Sequence, residues 1–255
     1  MGKILSAQQV TKSYALGKGN VYQALKSVSL EIEEGEFVSV MGPSGSGKST
    51  LLYNISGMDI ADSGSVIFAG KDIGTLSEKE LADLRLKKMG FVFQQSNLLK
   101  NLSIFDNIVV SAYLSDLERK SVINKRAMKL MEQTGISHLK NNDVTQASGG
   151  EMQRASICRA LINEPAILFG DEPTGALNSS SANEIMDIFC DINQKGGTVL
   201  LVTHDAKVAA RSDRVLFMMD GQIKGEYPLE RYSPAVNDLK QRETELQKWL
   251  SEMGF

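Results

Sequence analysis

The stretch Gly42-Pro43-Ser44-Gly45-Ser46-Gly47-Lys48-Ser49-Thr50 constrains this chain more than any other. It satisfies the pattern G-x-x-x-x-G-K-[ST] at every fixed position. Upstream, Phe37-Val38-Ser39-Val40-Met41 is an apolar, β-branched run that reads as a buried strand. Downstream, Ser49-Thr50-Leu51-Leu52 opens a helix-like segment that ends near Gly57. Strand, glycine loop and helix aim several backbone N–H groups at one point, where the helix N-terminus adds partial positive charge. Gly42, Gly45 and Gly47 let the backbone approach phosphate oxygens with no Cβ between. The pattern puts Lys48 on the β- and γ-phosphates and the Ser49 hydroxyl on Mg²⁺. A site for a nucleoside triphosphate is the expectation.

The rest of the chain reads as an α/β protein built around that loop. Ser27-Val28-Ser29-Leu30-Glu31-Ile32 alternates polar and apolar, as a half-buried strand does, and Glu33-Glu34-Gly35-Glu36 reads as a turn. Residues Ala15 to Asn20 lack an apolar period and predict a surface loop. Tyr14, just before it, is placed either to stack on a purine ring or to close the edge of the core. A strand and turn are expected over Ser65–Asp72, and a capping box at Ser77-Glu78-Lys79-Glu80 starts a helix running to about Lys88. Gly90-Phe91-Val92-Phe93 is a short strand that delivers Gln94 and Gln95.

From Ser96 to about Ala147 the pattern is helical. Leu98, Leu99, Leu102, Ile104, Phe105, Ile108 and Val109 are more apolar than a surface requires, so core for most and docking for a few is expected. Asp116 to Lys120 reads as a solvated connection, and His138 as a surface residue without ligand-type neighbours. Ala166-Ile167-Leu168-Phe169 and Thr198-Val199-Leu200-Leu201-Val202 read as buried parallel strands ending in Gly170-Asp171-Glu172 and Thr203-His204-Asp205. Ser181-Ala182-Asn183-Glu184 reads as a second capping box, opening a helix with Ala182, Ile185, Met186, Phe189 and Cys190 on one face. A hairpin is expected around Asp220-Gly221. Strands alternating with helices, polar groups at the strand ends, describe a three-layer α/β domain with its ligand at those ends.

Composition narrows the partners. The net charge is −3 with both signs interspersed, so no basic footprint for nucleic acid is present. Cys158 and Cys190 match no metal or redox spacing and fall in predicted helices, as small buried thiols suited to a reducing cytosol. Nothing near Met1-Gly2-Lys3 resembles a signal peptide, and no apolar run approaches bilayer length. A membrane role therefore needs another chain.

Phosphoryl transfer to water needs a triphosphate cradle, a metal, a group that orients the water and positive charge near the γ-phosphate. Asp171, at a strand end, is placed to hold Mg²⁺, and Glu172 to accept a proton from the attacking water. His204, at a second strand end, is placed to hydrogen-bond the γ-phosphate.

Gly42 to Thr50, Gln94, Ala147-Ser148-Gly149-Gly150-Glu151-Met152-Gln153-Arg154, Ile167 to Glu172 and His204 occur in the order seen in the ABC-transporter ATPase family. The chain resembles that family over about residues 4 to 228. The resemblance implies a P-loop, RecA-like core with an N-terminal antiparallel β-subdomain over 1–93 and 159–228. It implies an inserted helical subdomain over 94–158, leaving 229–255 as a helical extension. It also implies ATP and Mg²⁺, with Ser44, Gly45, Ser46, Gly47, Lys48, Ser49 and Thr50 on the nucleotide. Tyr14 would lie on the adenine, Ser49, Gln94 and Asp171 at the metal, and Lys48, Gln94, Glu172 and His204 in catalysis. Ser148, Gly149 and Gly150 would receive ATP held by a second copy, two nucleotides being buried in a twofold dimer. A permease would be the membrane partner, placing this chain in the cytoplasm, peripheral on the inner face of the membrane.

The chain departs from the family pattern at three places: Gln146-Ala147 stands where a leucine usually precedes the serine, Glu151 replaces the usual glutamine, and Asn178 stands where aspartate is common. The segments Phe91 to Leu99 and Asp171 to Leu177 are most similar to the branch of macrolide exporters, lipoprotein-release, cell-division and antimicrobial-peptide-resistance ATPases. Efflux of or resistance to peptides or drugs is the implied function; lipoprotein release or a cell-division scaffold is the alternative. Beyond the family core, Val236, Leu239, Leu246, Trp249, Leu250 and Met253 trace a helical stripe, for packing on the chain's own domain or for a partner.

Overall fold

The structure, a computed structural model, describes residues 2–17 and 20–255. In chain order it contains β1 (Lys3–Ala15), β2 (Val21–Glu33), β3 (Phe37–Met41), α1 (Lys48–Ile55), β4 (Ser63–Phe68) and β5 (Lys71–Asp72). There follow α2 (Glu78–Lys88), β6 (Met89–Phe93), α3 (Ile104–Ser115), α4 (Lys120–Gln133), α5 (Gly149–Leu161), β7 (Ile167–Asp171) and α6 (Ser179–Gln194). The chain ends with β8 (Thr198–Val202), α7 (Ala206–Ala209), β9 (Arg214–Met219), β10 (Gln222–Pro228) and α8 (Leu239–Glu252). It divides into two compact units, one made of the chain up to Leu81 and from Asn193 onward, the other of Ala82–Ile192.

In the first unit, an antiparallel sheet runs in the order β2-β1-β4-β5, and a second set runs β10-β9-β3-β8. The alternation of β2 is realised: Val28, Leu30 and Ile32 are buried while Ser29, Glu31 and Glu33 face solvent. Every residue of β3 and β8 is buried, as two-sided coverage of a parallel strand demands. Asp220 and Gly221 both adopt positive φ, 49° and 78°, which matches the right-handed twist of the β9–β10 hairpin. The strand β1 extends through Ala15, so the expected loop is shorter than Ala15–Asn20; its Lys18 and Gly19 lie outside the described residues. Cross-strand pairing of Ala15 with Val21 keeps that residue in the ladder.

The C-terminal stripe packs on its own unit. Leu246 and Leu250 are buried against Met41, Ala209, Ala210, Val215 and Phe217. Trp249 lies on Tyr227 at 5.2 Å between ring centroids. Arg242, 5% exposed, donates from Nε to the Ala210 carbonyl (2.7 Å) and from Nη2 to that of Ser212 (2.9 Å). Val236 does not belong to the stripe; it precedes the helix and is 66% exposed.

The second unit pairs β6 with β7 in parallel and packs α3, α4 and α5 around Ile104, Ile108, Ala112, Ile123, Met131 and Cys158. Core is thus the fate of most of the apolar run, and Leu99, 51% exposed, is the exception. The irregular segment before α3 is held by Asn107, fully buried, whose side chain bonds the Leu99 N–H (2.6 Å) and the Leu99 and Ser103 carbonyls. The second capping box is not formed at Ser181. Helix α6 starts earlier, at Ser179, and Asn178 Oδ1 accepts from the Ser181 N–H at 2.9 Å. Glu184, released from that role, pairs with Arg154 at 2.7 Å. Both cysteines are buried thiols outside any disulfide, and burial pushes the Cys158 thiol up to about 12.

Candidate functional site

The glycine loop leaves the end of β3. Two of its glycines are demanded by close approach: a Cβ on Gly42 would lie 1.9 Å from the Met218 carbonyl oxygen, and one on Gly47 2.5 Å from that of Ala24. Gly47 also takes φ 101° at the N-terminus of α1, where no side chain caps the first turn. The N–H groups of that first turn lie at the loop, with the positive end of the helix dipole. Ser46 is buried, and its Oγ finds no hydrogen-bond partner among the described residues. A buried hydroxyl left so is costly unless a ligand completes it. Lys48, also buried, donates from Nζ to the Gly42 (2.9 Å) and Pro43 (2.8 Å) carbonyls, so its ammonium is held at the loop. Ser44 and Gly45 are exposed; Ser49 and Thr50 are half-buried. Loop, helix end and lysine together fit a polyphosphate.

His204 belongs to the same edge. Val40 pairs with Val202 in the parallel β3–β8 ladder, and the Thr203 N–H donates to the Val40 carbonyl at 3.1 Å. Gly42 and His204 therefore leave neighbouring strands in one direction, His204 exposed. Tyr14 sits across from Tyr22 in the β1–β2 ladder. Its phenol donates to Asp59 Oδ2 at 2.8 Å, and Lys12 Nζ lies 5.4 Å from its ring centroid. Burial and the Asp59 carboxylate raise the phenol's pKa. At Asp59 burial works against the charged form, but hydrogen bonds from Lys12 and Tyr14 outweigh it and hold the carboxyl below its ordinary range. Tyr22, which sequence reasoning passed over, donates to the Gly45 carbonyl at 2.9 Å and so fixes the loop's tip.

In the second unit, the β6–β7 register ends with Phe93 opposite Asp171. Gln94 and Glu172 thus leave adjacent strand ends. Glu172 takes φ 47°, the left-handed region, an outlier of the kind that clusters at working sites. Its carbonyl accepts from the Gly175 N–H at 3.0 Å. A Cβ on Gly175 would lie 3.0 Å from Gln94 Nε2, so the glutamine amide rests against this turn.

Ser148 caps α5, and the cap is closed on itself. Ser148 Oγ donates to Glu151 Oε2 (2.7 Å), as does the Ser148 N–H (2.8 Å), while the Glu151 N–H returns to Ser148 Oγ (3.4 Å). Glutamate at 151 closes a capping box, as the usual glutamine also can, but with a charged acceptor. Those bonds hold the Glu151 carboxyl low, against burial. His138 Nε2 lies 3.3 Å from Glu151 Oε1, so the expectation that it lacks ligand-type neighbours is corrected. Sequence spacing did not reveal it because the two residues come from different turns. Ser148 and Gly149 are exposed; Gly150 is buried, where a Cβ would meet Ser181 Oγ at 2.9 Å.

The ABC transporter family profile matches residues 25–175. A bacitracin export ATP-binding protein, BceA of Halalkalibacterium halodurans, is 42% identical over 221 residues, covering 86% of this chain and 87% of that one. The macrolide export ATP-binding/permease protein MacB of Chlorobaculum tepidum is 39% identical over 246 residues, 96% of this chain; the chain spans 36% of that protein's length. The dimeric structure of the ATP-binding cassette MJ0796 with ADP and Pi superposes with a TM-score of 0.83 at 38% identity, covering 89% of this chain and all of that one. Among the described residues no helix is long and apolar enough to cross a membrane. On these grounds the chain belongs to the ABC transporter family, as an ATPase cassette of that family.

Proposed function

We propose that this chain is the ATP-hydrolysing subunit of a bacterial-type exporter of antimicrobial peptides or drugs, pairing with a second copy on ATP and driving a separate permease. The observation that carries the nucleotide part is the cradle itself: an uncapped α1, two glycines at backbone contact, and a buried Ser46 hydroxyl without a partner. On binding, Lys48 turns from the Gly42 and Pro43 carbonyls to the β- and γ-phosphates, and Tyr14 offers its ring to the adenine. Ser49, Gln94 and Asp171 have the oxygen donors that Mg²⁺, a hard cation, takes alongside phosphate oxygens; they would hold it, and it would neutralise charge on the phosphates. Glu172 accepts the proton of the attacking water, and His204 donates to the γ-phosphate. Ser148, Gly149 and Gly150 serve the nucleotide of the second copy. Peripheral attachment at the inner membrane face follows from the permease, and Leu99 and Leu114, exposed by 51% and 72%, suit docking on the second unit.

The export of peptides or drugs rests on the names of BceA and MacB. The test is Glu172→Gln. ATP binding is kept, turnover falls by about 10²–10⁴-fold, and the ATP-bound chain elutes as a stable dimer. Undiminished turnover removes Glu172 from the mechanism. Affinity capture from detergent-solubilised membranes then names the permease; recovery of no membrane protein overturns the transport role.

A further inference from the structure

Helix α5 carries a buried residue to which the proposal above gives no role. Gln153 is 2% exposed, and its Nε2 donates to two main-chain carbonyls, that of Phe93 at 2.8 Å and that of Pro173 at 2.8 Å. A primary amide has two N–H groups, so both are used. Phe93 is the residue before Gln94, and Pro173 the residue after Glu172. The β6–β7 ladder ends at Phe93 opposite Asp171, so the amide takes over where strand pairing stops. Farther along the same helix Arg159 donates to the Ser96 (2.6 Å) and Asn97 (2.8 Å) carbonyls, tying α5 a second time to the segment after Gln94.

We propose that Gln153 is a positioning residue for ATP hydrolysis, fixing the spacing between Gln94 and Glu172 and coupling both to the N-terminus of α5. The inference rests on the ATPase reading of this chain. Glu172 is held at φ 47°, a conformation that persists only when its surroundings over-determine it. The Pro173 carbonyl, one peptide beyond, is anchored by Gln153; the Glu172 carbonyl is anchored by the Gly175 N–H. Because Ser148 caps the helix that carries Gln153, any displacement of that helix end pulls on the Phe93 and Pro173 carbonyls together. The state of the N-terminal end of α5 is thereby passed to the hydrolytic groups of the same chain by one side chain.

Gln153→Met keeps length and approximate volume and removes both donors. The full chain carrying it is expected to bind a fluorescent ATP analogue within about twofold of the parent, because the loop at Gly42–Thr50 is untouched, while kcat falls by about tenfold or more. Amide hydrogen exchange at Gly175, whose N–H bonds the Glu172 carbonyl, quickens by a similar factor. Ile157→Val, a buried apolar trim on the same helix, serves as the stability-matched control and leaves kcat and that exchange rate unchanged. A kcat for Gln153→Met within about twofold of the parent, or the same loss in Ile157→Val at matched Tm, overturns the inference. If the parent chain shows no turnover, the ATPase reading fails, and Gly175 exchange still decides whether Gln153 holds the turn. Should Gln153→Met lose cooperative melting, Gln153→Asn, whose shorter amide reaches one carbonyl at most, is read by the same two measurements.

Discussion

Helices α1 and α5 each begin in a glycine-rich run that follows a serine, yet their first turns are completed in opposite ways. At α1 the cap position is Gly47, no side chain caps the first turn, and the nearby Ser46 hydroxyl is buried with no hydrogen-bond partner among the described residues. At α5 the cap is Ser148, and Glu151 closes a reciprocal box with it. The first end has no side-chain cap and would be completed by an anion; the second is capped without one. A phosphate arriving at α5 has to displace a carboxylate from Ser148, so that end binds only when a larger surface helps to offset the exchange. On the proposed reading, this would account physically for one helix end binding nucleotide in a single chain and the other only in a dimer.

The contrast breaks most sharply at Gly47. Gly47→Ala forces a Cβ against the Ala24 carbonyl at positive φ, a strain of about 1–3 kcal/mol. ATP affinity by equilibrium titration is expected to drop by about 10- to 100-fold, while α5 keeps its box. Unchanged affinity would show that α1 is not the cradle. Next in size, Ser148→Ala removes the hydroxyl half of the box, leaving the main-chain N–H of residue 148 on Glu151, and lowers stability by about 1 kcal/mol. Its ATP binding as a monomer is expected to stay intact, with ATP-driven dimerisation weakened, as sedimentation would read.

The smallest effect sharpens the comparison. Glu151→Gln keeps a capping acceptor and removes the negative charge that competes with phosphate, so dimerisation on ATP is expected to strengthen about two- to fivefold. The same charge sets a pH dependence. Because the folded Glu151 carboxyl is held low, chiefly by the Ser148 hydroxyl, its contribution to stability is full above the unfolded glutamate's pKa. It fades as pH falls through the depressed folded value. Acid melting curves of the parent and of Glu151→Gln should converge in that window; parallel curves would mean that the charge on Glu151 contributes nothing to stability.

Much of this was legible in the sequence. The Gly42–Thr50 pattern, the buried strands at Phe37 and Thr198, the Ser77–Glu80 box and the Asp220-Gly221 hairpin are local, and local chemistry decides them. Where two local signals competed, spacing alone misjudged: Ser181-Ala182-Asn183-Glu184 resembled a cap, but Asn178 captured the Ser181 N–H first and Arg154 took Glu184. Val236 fitted the helical period of the C-terminal stripe but lies before the helix begins.

The sequence by itself determined the phosphate loop, the strand ends that carry Asp171, Glu172 and His204, and the family, because each is a short run whose chemistry needs few neighbours. Tertiary structure alone decided that Gln153 bridges Phe93 and Pro173, that Tyr22 holds Gly45, that His138 meets Glu151, and that Arg242 binds the carbonyls after α7. These contacts join residues far apart in the chain, and a side-chain donor carries no sign in the sequence of which distant carbonyl it will find.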